Sequence, residues 1–164
     1  MEQTAQAEMR QLISFTVGSE QYGLELMNVK EIIRMRNATW LPQSPSCVKG
    51  IINLRGDIVP IVDLRERLGL EHSQATPATR VIVVDVEGQH VGLVVDAASQ
   101  VVRMAADQFE APPPMTNGES QKFISLVGKA GQDLIVMLNL EHLLSPGEMG
   151  EISRVTRNGT HLAP

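Results

Sequence analysis

Aromatic side chains are nearly absent from this sequence: one Trp, one Tyr and three Phe in 164 residues, 3% in all. A protein that binds single-stranded nucleic acid needs aromatic platforms on which bases stack and a positive groove for the backbone. Positive charge is also lacking, with a formal net charge of −5, whereas a duplex binder needs a basic face to displace counterions. An oligonucleotide-binding barrel, the rival reading for a small β-rich chain, therefore fails twice, and no nucleic-acid partner is expected. Cysteine is equally scarce. Cys47 stands alone, so no internal disulfide can form, and a single thiol fits a reducing compartment. No apolar run approaches the ~20 residues of a membrane span. The segment Met1 to Arg10 is polar and lacks the apolar centre of a signal peptide. The expectation is a cytoplasmic protein with no direct membrane insertion.

Catalytic constellations are missing too. His72 falls in a linker, His90 at a hairpin turn, His142 in a short helix and His161 in the tail. No two of them have the spacing of metal ligands, and Cys47 has no companion. Cys47 sits in Ser44-Pro45-Ser46-Cys47-Val48-Lys49-Gly50, which has no His beside it; a small buried thiol is the simpler reading. Gly18 to Gly23 lacks the GxGxxG pattern, and Asn53-Leu54-Arg55-Gly56 is not followed by Lys and Ser or Thr, so no phosphate loop is present. Asp57, Asp63 and Asp133 are accounted for by turns and caps. Nothing assembles a nucleophile, a base and an oxyanion site. The sequence implies no enzyme, no metal and no cofactor; turnover by the isolated chain would be needed to revive a composite active site. Function must then come from surface.

What the chain does have is Val, Ile and Leu, within a total of 43% apolar and 20% charged residues, enough for one globular domain. It also repeats itself. Leu12–Ile33 aligns without a gap on Val81–Val102, at a constant offset of 69 that pairs Gly23 with Gly92, Phe15 with Val84, Leu24 with Leu93 and Ile32 with Val101. Phe15 and Val17 alternate with Ser14 and Thr16, then Gly18-Ser19-Glu20-Gln21 turns the chain, and Tyr22, Leu24 and Leu26 alternate again. That is a β-hairpin. In the second copy Glu87-Gly88-Gln89 is the turn, and its more continuous apolar strands imply burial on both faces. Each hairpin is expected to run into a short helix: Asn28-x-x-Glu31 reads as a capping box over Asn28 to Met35, and Asp96 as a cap for Ala97 to Gln100. A second pairing sets Ile52–Gly56 against Ile124–Gly128 and, after four extra residues Lys129 to Gln132, Asp57–Leu64 against Asp133–Leu140. Asp63-x-x-Glu66 caps a helix that Gly69 stops.

Punctuation completes the layout. Leu70 to Ala78 is polar and helix-breaking and links the copies. Ser44-Pro45 opens a short helix that Gly50 ends. Ala111 to Pro114 is extended, and Met115 to Ser120 is a loop. Ser145-Pro146-Gly147-Glu148 opens a last helix with a capping box and Pro at its first position, and the tail from Arg154 frays. So short a meander cannot bury two faces as an open sheet, and curling into a barrel removes its edges. The expectation is a mainly β chain: a first barrel unit over 11–68, a second over 79–144, a helix over 145–155, and a third apolar layer between the barrels, all within one domain at 11–150.

Three features are candidates: Arg55 in a tight turn between apolar strands, the segment Asn28 to Met35 with Glu31 and Arg34, and the strand Arg80 to Val86, so apolar that one face must meet another unit or a partner. At this point the residues reach a family. Lys49-Gly50-Ile51-Ile52-Asn53-Leu54-Arg55-Gly56-Asp57-Ile58-Val59-Pro60-Ile61-Val62-Asp63-Leu64-Arg65 resembles the signature KG-x-x-NLRG-x-I-x-PI-x-DLR of CheW-type proteins. Phe15-Thr16-Val17-Gly18 to Tyr22-Gly23-Leu24, then Val29-x-Glu31-Ile32, resembles that family's first unit, and Val91 to Asp96 its second. The resemblance covers about Gln11 to Leu144. It implies two intertwined five-stranded SH3-like β-barrel subdomains with short helices. It also implies an adaptor that couples the cytoplasmic tips of methyl-accepting chemotaxis receptors to the histidine kinase CheA, through the kinase's own CheW-like regulatory domain, associated with membrane receptor arrays through those partners. Carried over residue by residue, receptor contacts fall on Val29, Glu31, Ile32, Arg55, Gly56 and Val81, and kinase contacts on Gly50, Asn53, Thr79 and Arg80. Arg80 departs from the family, where an apolar residue is common.

Overall fold

The computed structural model describes residues 8–40, 42, 48–114 and 122–162. Strands β1 (Met9–Val17) and β2 (Glu20–Glu25) form the first hairpin; a 3-10 turn (Leu26–Asn28) leads into β3 (Val29–Arg34). Then come β4 (Val48–Leu54), β5 (Asp57–Asp63) and helix α1 (Leu64–Arg67). The second half holds β6 (Arg80–Val86), β7 (Gln89–Val95), β8 (Ala97–Ala105), a 3-10 turn (Ala106–Gln108), β9 (Phe109–Glu110), β10 (Ile124–Ala130) and β11 (Asp133–Leu138). Helices α2 (Leu140–Leu143) and α3 (Pro146–Leu162) end it.

The strands form two sheets, in the orders β8-β1-β2-β11-β10-β9 and β3-β6-β7-β5-β4. At the repeat offsets these are the same list: β8 stands where β3 does, β1 where β6 does, and β10 and β11 where β4 and β5 do. Each sheet contains one parallel pair, β2 with β11 and β5 with β7, the rest being antiparallel. Segments 11–68 and 79–144 are sequence copies, but each supplies strands to both sheets, because β3 pairs with β6 and β8 with β1. Both sheets are closed by one bent segment. β3 pairs with β6 on one edge, and Thr39, just beyond it, bridges Ile51 of β4 on the other. β8 pairs with β1, and β9 just beyond it pairs with β10. Among the described residues, the outer sides of β4 and β10 are thus each partly covered, which limits the edge open to another chain. The barrels expected from the sequence are present, intertwined by strand exchange.

Three apolar clusters follow. Leu12, Met104, Ile135 and Met137 fill the first barrel. Ile52, Leu54, Val59, Ile61, Val81 and Val83 fill the second. The largest cluster lies between them and draws on both sheets and all three helices, including Phe15, Leu24, Ile82, Val84, Leu64, Leu140 and Ile152. Each fully buried aliphatic or Phe side chain there contributes on the order of 1.5–3 kcal/mol.

The structure corrects several local expectations. Asn28 to Met35 is not a helix: Leu26–Asn28 is a single 3-10 turn, and Val29–Arg34 is a strand whose burial alternates. Ala97 to Gln100 likewise opens β8, and Asp96 caps no helix. In both cases the β-branched residues (Val29, Ile32, Ile33; Val101, Val102) find a neighbouring strand, and that pairing overrides a capping pattern. Val48–Gly50 belongs to β4, so Gly50 ends no helix, and 43–47, with Cys47, lie outside the described residues, as do 115–121 in the expected loop. Gly56 and Gly128 are not counterparts. Leu54 faces Asp57 across a two-residue turn, as Ala130 faces Asp133, so the whole hairpin repeats without an insertion and Gly131 occupies a turn. The tail does not fray at Arg154, since α3 continues to Leu162. Once the Ser145–Glu148 capping box has supplied the nucleus, with both reciprocal bonds formed, each further residue needs only one more hydrogen bond. The Asp63 cap holds: its side chain accepts from the Arg65 amide.

The paired glycines have a common cause. A Cβ on Gly23 would sit 2.7 Å from Met137 Sδ, and one on Gly92 would sit 2.7 Å from both Ile61 and Val81. Each lies at the parallel pair inside its barrel, where the neighbouring strand's side chain fills the space over the backbone. Gly23→Ala and Gly92→Ala should each destabilise by about 1–3 kcal/mol through overpacking. Gly150→Ala, in α3 with nothing near its Cβ, should stabilise by about 0.5–1 kcal/mol. Urea unfolding midpoints of the three variants check this; equal shifts at Gly23 and Gly150 would refute the packing account.

Candidate docking surfaces

The run Asn53-Leu54-Arg55-Gly56 is a solution to a tight turn. Arg55 (φ 54°) and Gly56 (φ 89°) both adopt the left-handed region, as a two-residue hairpin of right-handed twist requires. Gly takes the second position without strain. Asn53 Oδ1 accepts the Gly56 amide at 2.7 Å, tying the turn to the strand. Glu87 (φ 52°), Gly88 (φ 84°) and the Asp85 carboxylate, which accepts the Gly88 amide at 2.8 Å, repeat the device in the β6–β7 hairpin. Arg55 then pairs with Glu31 on β3, so the two edge strands of the second barrel are bridged by charge as well as by Thr39. The Glu31 hydrogen bond holds the Arg55 guanidinium above its ordinary range. Beside it Asp57 pairs with His90 Nδ1 at 2.5 Å.

Val29, Glu31, Ile32, Arg55 and Gly56 thus share one end and edge of the second barrel. Ile32 is 37% exposed. Val81 does not join them: it is 1% exposed and packs in the barrel interior opposite Ile33. The apolar run Arg80–Val86 met its partners inside the protein, so its hydrophobicity signals core. Residues missed from sequence are Met27, 87% exposed in the 3-10 turn between the barrels, and Val101, 50% exposed on β8. The repeat carried the signal for Val101, since it is the counterpart of Ile32. Met27 borders a groove of about 570 Å³ with Met9, Leu26 and Glu25.

Gly50, Asn53, Thr79 and Arg80 are not brought together. β4 carries Gly50 and Asn53 toward opposite ends of the barrel, and the Asn53 side chain is engaged in its turn. Thr79 is 7% exposed, its hydroxyl accepting the Thr76 amide at 2.8 Å. Arg80 faces Arg34 across the β3–β6 pair and donates Nη1 to the carbonyls of Pro77 and Thr79. A Cβ on Gly50 would lie 2.8 Å from Ala38 Cβ. Lys49, paired with Glu66, and Thr79 line one cavity of about 380 Å³ at this end, with Met35, Asp63, His72 and Arg65.

At the wall of that cavity Arg65 and Asp96 form a two-pronged pair, Nε–Oδ1 at 2.9 Å and Nη2–Oδ2 at 2.7 Å. Arg65 Nη1 also donates to the Glu71 carbonyl at 2.9 Å. The Arg65 hydrogen bond holds the Asp96 carboxyl below its ordinary range; burial opposes this, and the Gly18 amide reinforces it. Among the described residues no group of three His, Cys, Asp or Glu could hold a metal ion, and no helix is long and apolar enough to cross a membrane.

Two closed, intertwined barrels with exposed apolar residues near their crossing strands, and charged pairs at Arg55–Glu31 and Arg65–Asp96, define a docking module. The CheW-like domain model matches residues 11–148, and the chain belongs to the CheW-like family. It is 32% identical to the chemotaxis protein CheW of Klebsiella aerogenes over 149 residues, covering 91% of this chain and 90% of that one. It is 30% identical to the protein FrzA of Myxococcus xanthus, over 92% of this chain and 95% of that one. The crystal structure of the scaffolding protein TtCheW from Thermoanaerobacter tengcongensis superposes with a TM-score of 0.78 at 31% identity, covering 86% of this chain and 96% of that one.

The Asp96 carboxyl titrates lower in the folded chain than in the unfolded one, near 3.9. Its contribution is therefore complete above the unfolded value and is lost as pH falls through the folded one. The thermal midpoint of Asp96→Asn should lie below that of the parent at pH 7, and the gap should narrow on acidification below pH about 4. A gap that widens in acid would contradict the pairing.

Proposed function

We propose that this chain is a non-catalytic adaptor that couples methyl-accepting chemoreceptors to the histidine kinase CheA. The observation that carries the reading is the family's NLRG-to-DLR run folded as a rigid, charge-bridged turn beside Ile32, on a barrel pair like that of a scaffolding protein. The relatives matched across nearly the whole chain are chemotaxis proteins. The receptor tip is assigned to Val29, Glu31, Ile32, Arg55 and Gly56; Val81 is excluded because its side chain is buried. The kinase's CheW-like domain is assigned to the opposite end of the second barrel, around Gly50, Thr79 and Arg80. Asn53 lies at the other end, where its bond to Gly56 holds the receptor-facing turn, so it is not assigned to the kinase surface. Holding two partners at once raises the effective concentration of each for the other, and control of the kinase is coupling free energy between sites, without chemistry on this chain. The working location is the cytoplasm, at receptor arrays.

The test is co-sedimentation of the purified chain with CheA and receptor signalling fragments. Arg55→Ala and Glu31→Lys should lower receptor capture at least several-fold while leaving the thermal midpoint almost unchanged, since exposed ion pairs add little stability. The exchange Glu31→Arg with Arg55→Glu separates two roles. Recovery of capture means that the pair acts by holding the turn; persistent loss means that the receptor reads Arg55 directly. Full capture by both single variants would sink the receptor assignment.

A further inference from the structure

The internal repeat predicts two equivalent crossings between the barrels, and the structure treats them unequally. At the second, where β7 gives way to β8, Asp96 is held on three sides. Its amide donates to Thr16 O at 3.0 Å, its Oδ2 accepts the Gly18 amide at 2.8 Å, and Arg65 grips both oxygens. Thr16 and Gly18 belong to the first barrel's hairpin, and Arg65 to the helix leaving the second barrel. One carboxylate therefore ties the two barrels together. At the first crossing the counterparts at the repeat offsets are Met27 for Asp96, Glu87 for Gly18 and Glu141 for Arg65. None of these carries an ion pair or a side-chain hydrogen bond to another of the three, and Met27 is 87% exposed. Met27 offers no carboxylate to accept the Glu87 amide, and Glu141 supplies no guanidinium, so no equivalent side-chain bond can form there.

We propose that the Arg65–Asp96–Gly18 network is a clasp that fixes the barrels at one crossing and leaves the crossing at Met27 as the compliant one, so that the barrels rock about the clasp. Strand exchange at both crossings keeps the motion small, and the central apolar layer resists separation but not a slight change of angle, since burial is non-directional. Hydrogen bonds to charge are directional and fix geometry more sharply. The groups facing Asp96 are Arg65, the Gly18 amide and, through Arg65, Asp63, which His72 approaches at 3.6 Å.

The experiment uses the whole chain with Cys47→Ser and spin labels at Lys30→Cys on β3 and Gln132→Cys at the β10–β11 turn, both exposed and one on each barrel. Pulsed dipolar spectroscopy reads the distance distribution between barrels, and hydrogen exchange reads the Gly18 amide. Asp96→Ala should widen the distribution and speed Gly18 exchange about tenfold or more, as loss of a bond to a charged acceptor implies. Met27→Ala should change neither. If Asp96→Ala fails to fold, Arg65→Gln keeps the Gly18 bond and should still widen the distribution. An unchanged distribution in a folded Asp96 or Arg65 variant overturns the clasp, and equal widening in Met27→Ala overturns the asymmetry.

Discussion

Strand exchange is the constraint on which the rest of the molecule depends. β3 leaves the hairpin that precedes it and pairs with β6; β8 leaves its own hairpin and pairs with β1. Neither barrel can then close from its own contiguous segment, and the surfaces on either side of the two crossings are forced together. That is why the largest apolar cluster lies between the barrels and recruits Leu64, Leu140 and Ile152 from all three helices. A domain of this size has too little volume for two independent cores, and sharing one layer raises the fraction of apolar surface each barrel removes from water. The helices are short plugs for that layer. Even α3 is anchored within its first two turns, by Glu148, which accepts from the Ser145 amide and pairs with Arg67, and by Ile152.

Much of this plan was legible because the repeat is written at constant offsets. The pairing of Gly23 with Gly92 pointed to a shared packing need, and the structure shows the same 2.7 Å approach under both. Alternation around Phe15 and Leu24 gave the hairpins. Exchange was not legible from periodicity, because a strand's partner is a tertiary fact; only the family resemblance implied intertwining. The same blindness turned Val29–Arg34 into a helix. Asn28 and Glu31 have the spacing of a capping box, but Glu31 spends its carboxylate on Arg55, 24 residues away, and no local pattern announces that. The four "extra" residues before Asp133 came from matching Gly56 to Gly128. In the structure Gly128 packs beneath Phe109, and the turn belongs to Gly131.

The candidate docking surface was legible in part, and the division has a physical basis. Arg55 and Gly56 stand out because a charged residue beside glycine between apolar strands can only be a turn. Val81 was misread because an apolar strand looks the same whether it faces a partner protein or its own barrel, and burial decided it. Met27 escaped because exposure of a lone methionine has no sequence signature. Sequence reasoning found the turn through what the backbone demanded and missed what the side chains left uncovered.

The turn itself shows why such a surface suits an adaptor. Arg55 is held in a left-handed conformation that costs a non-glycine residue on the order of 1 kcal/mol or more, and three contacts over-determine it: the two-residue register of β4 and β5, the Asn53 bond to Gly56 and the Glu31 pair. A side chain so restrained loses little freedom when a partner docks, which raises affinity without added area. It also makes the surface sensitive to changes behind it, since Glu31 lies on the exchanged strand β3. Any shift of β3 relative to β4 reaches Arg55 directly. The residue best placed to meet a partner is thus bonded to the strand best placed to report the relative position of the barrels.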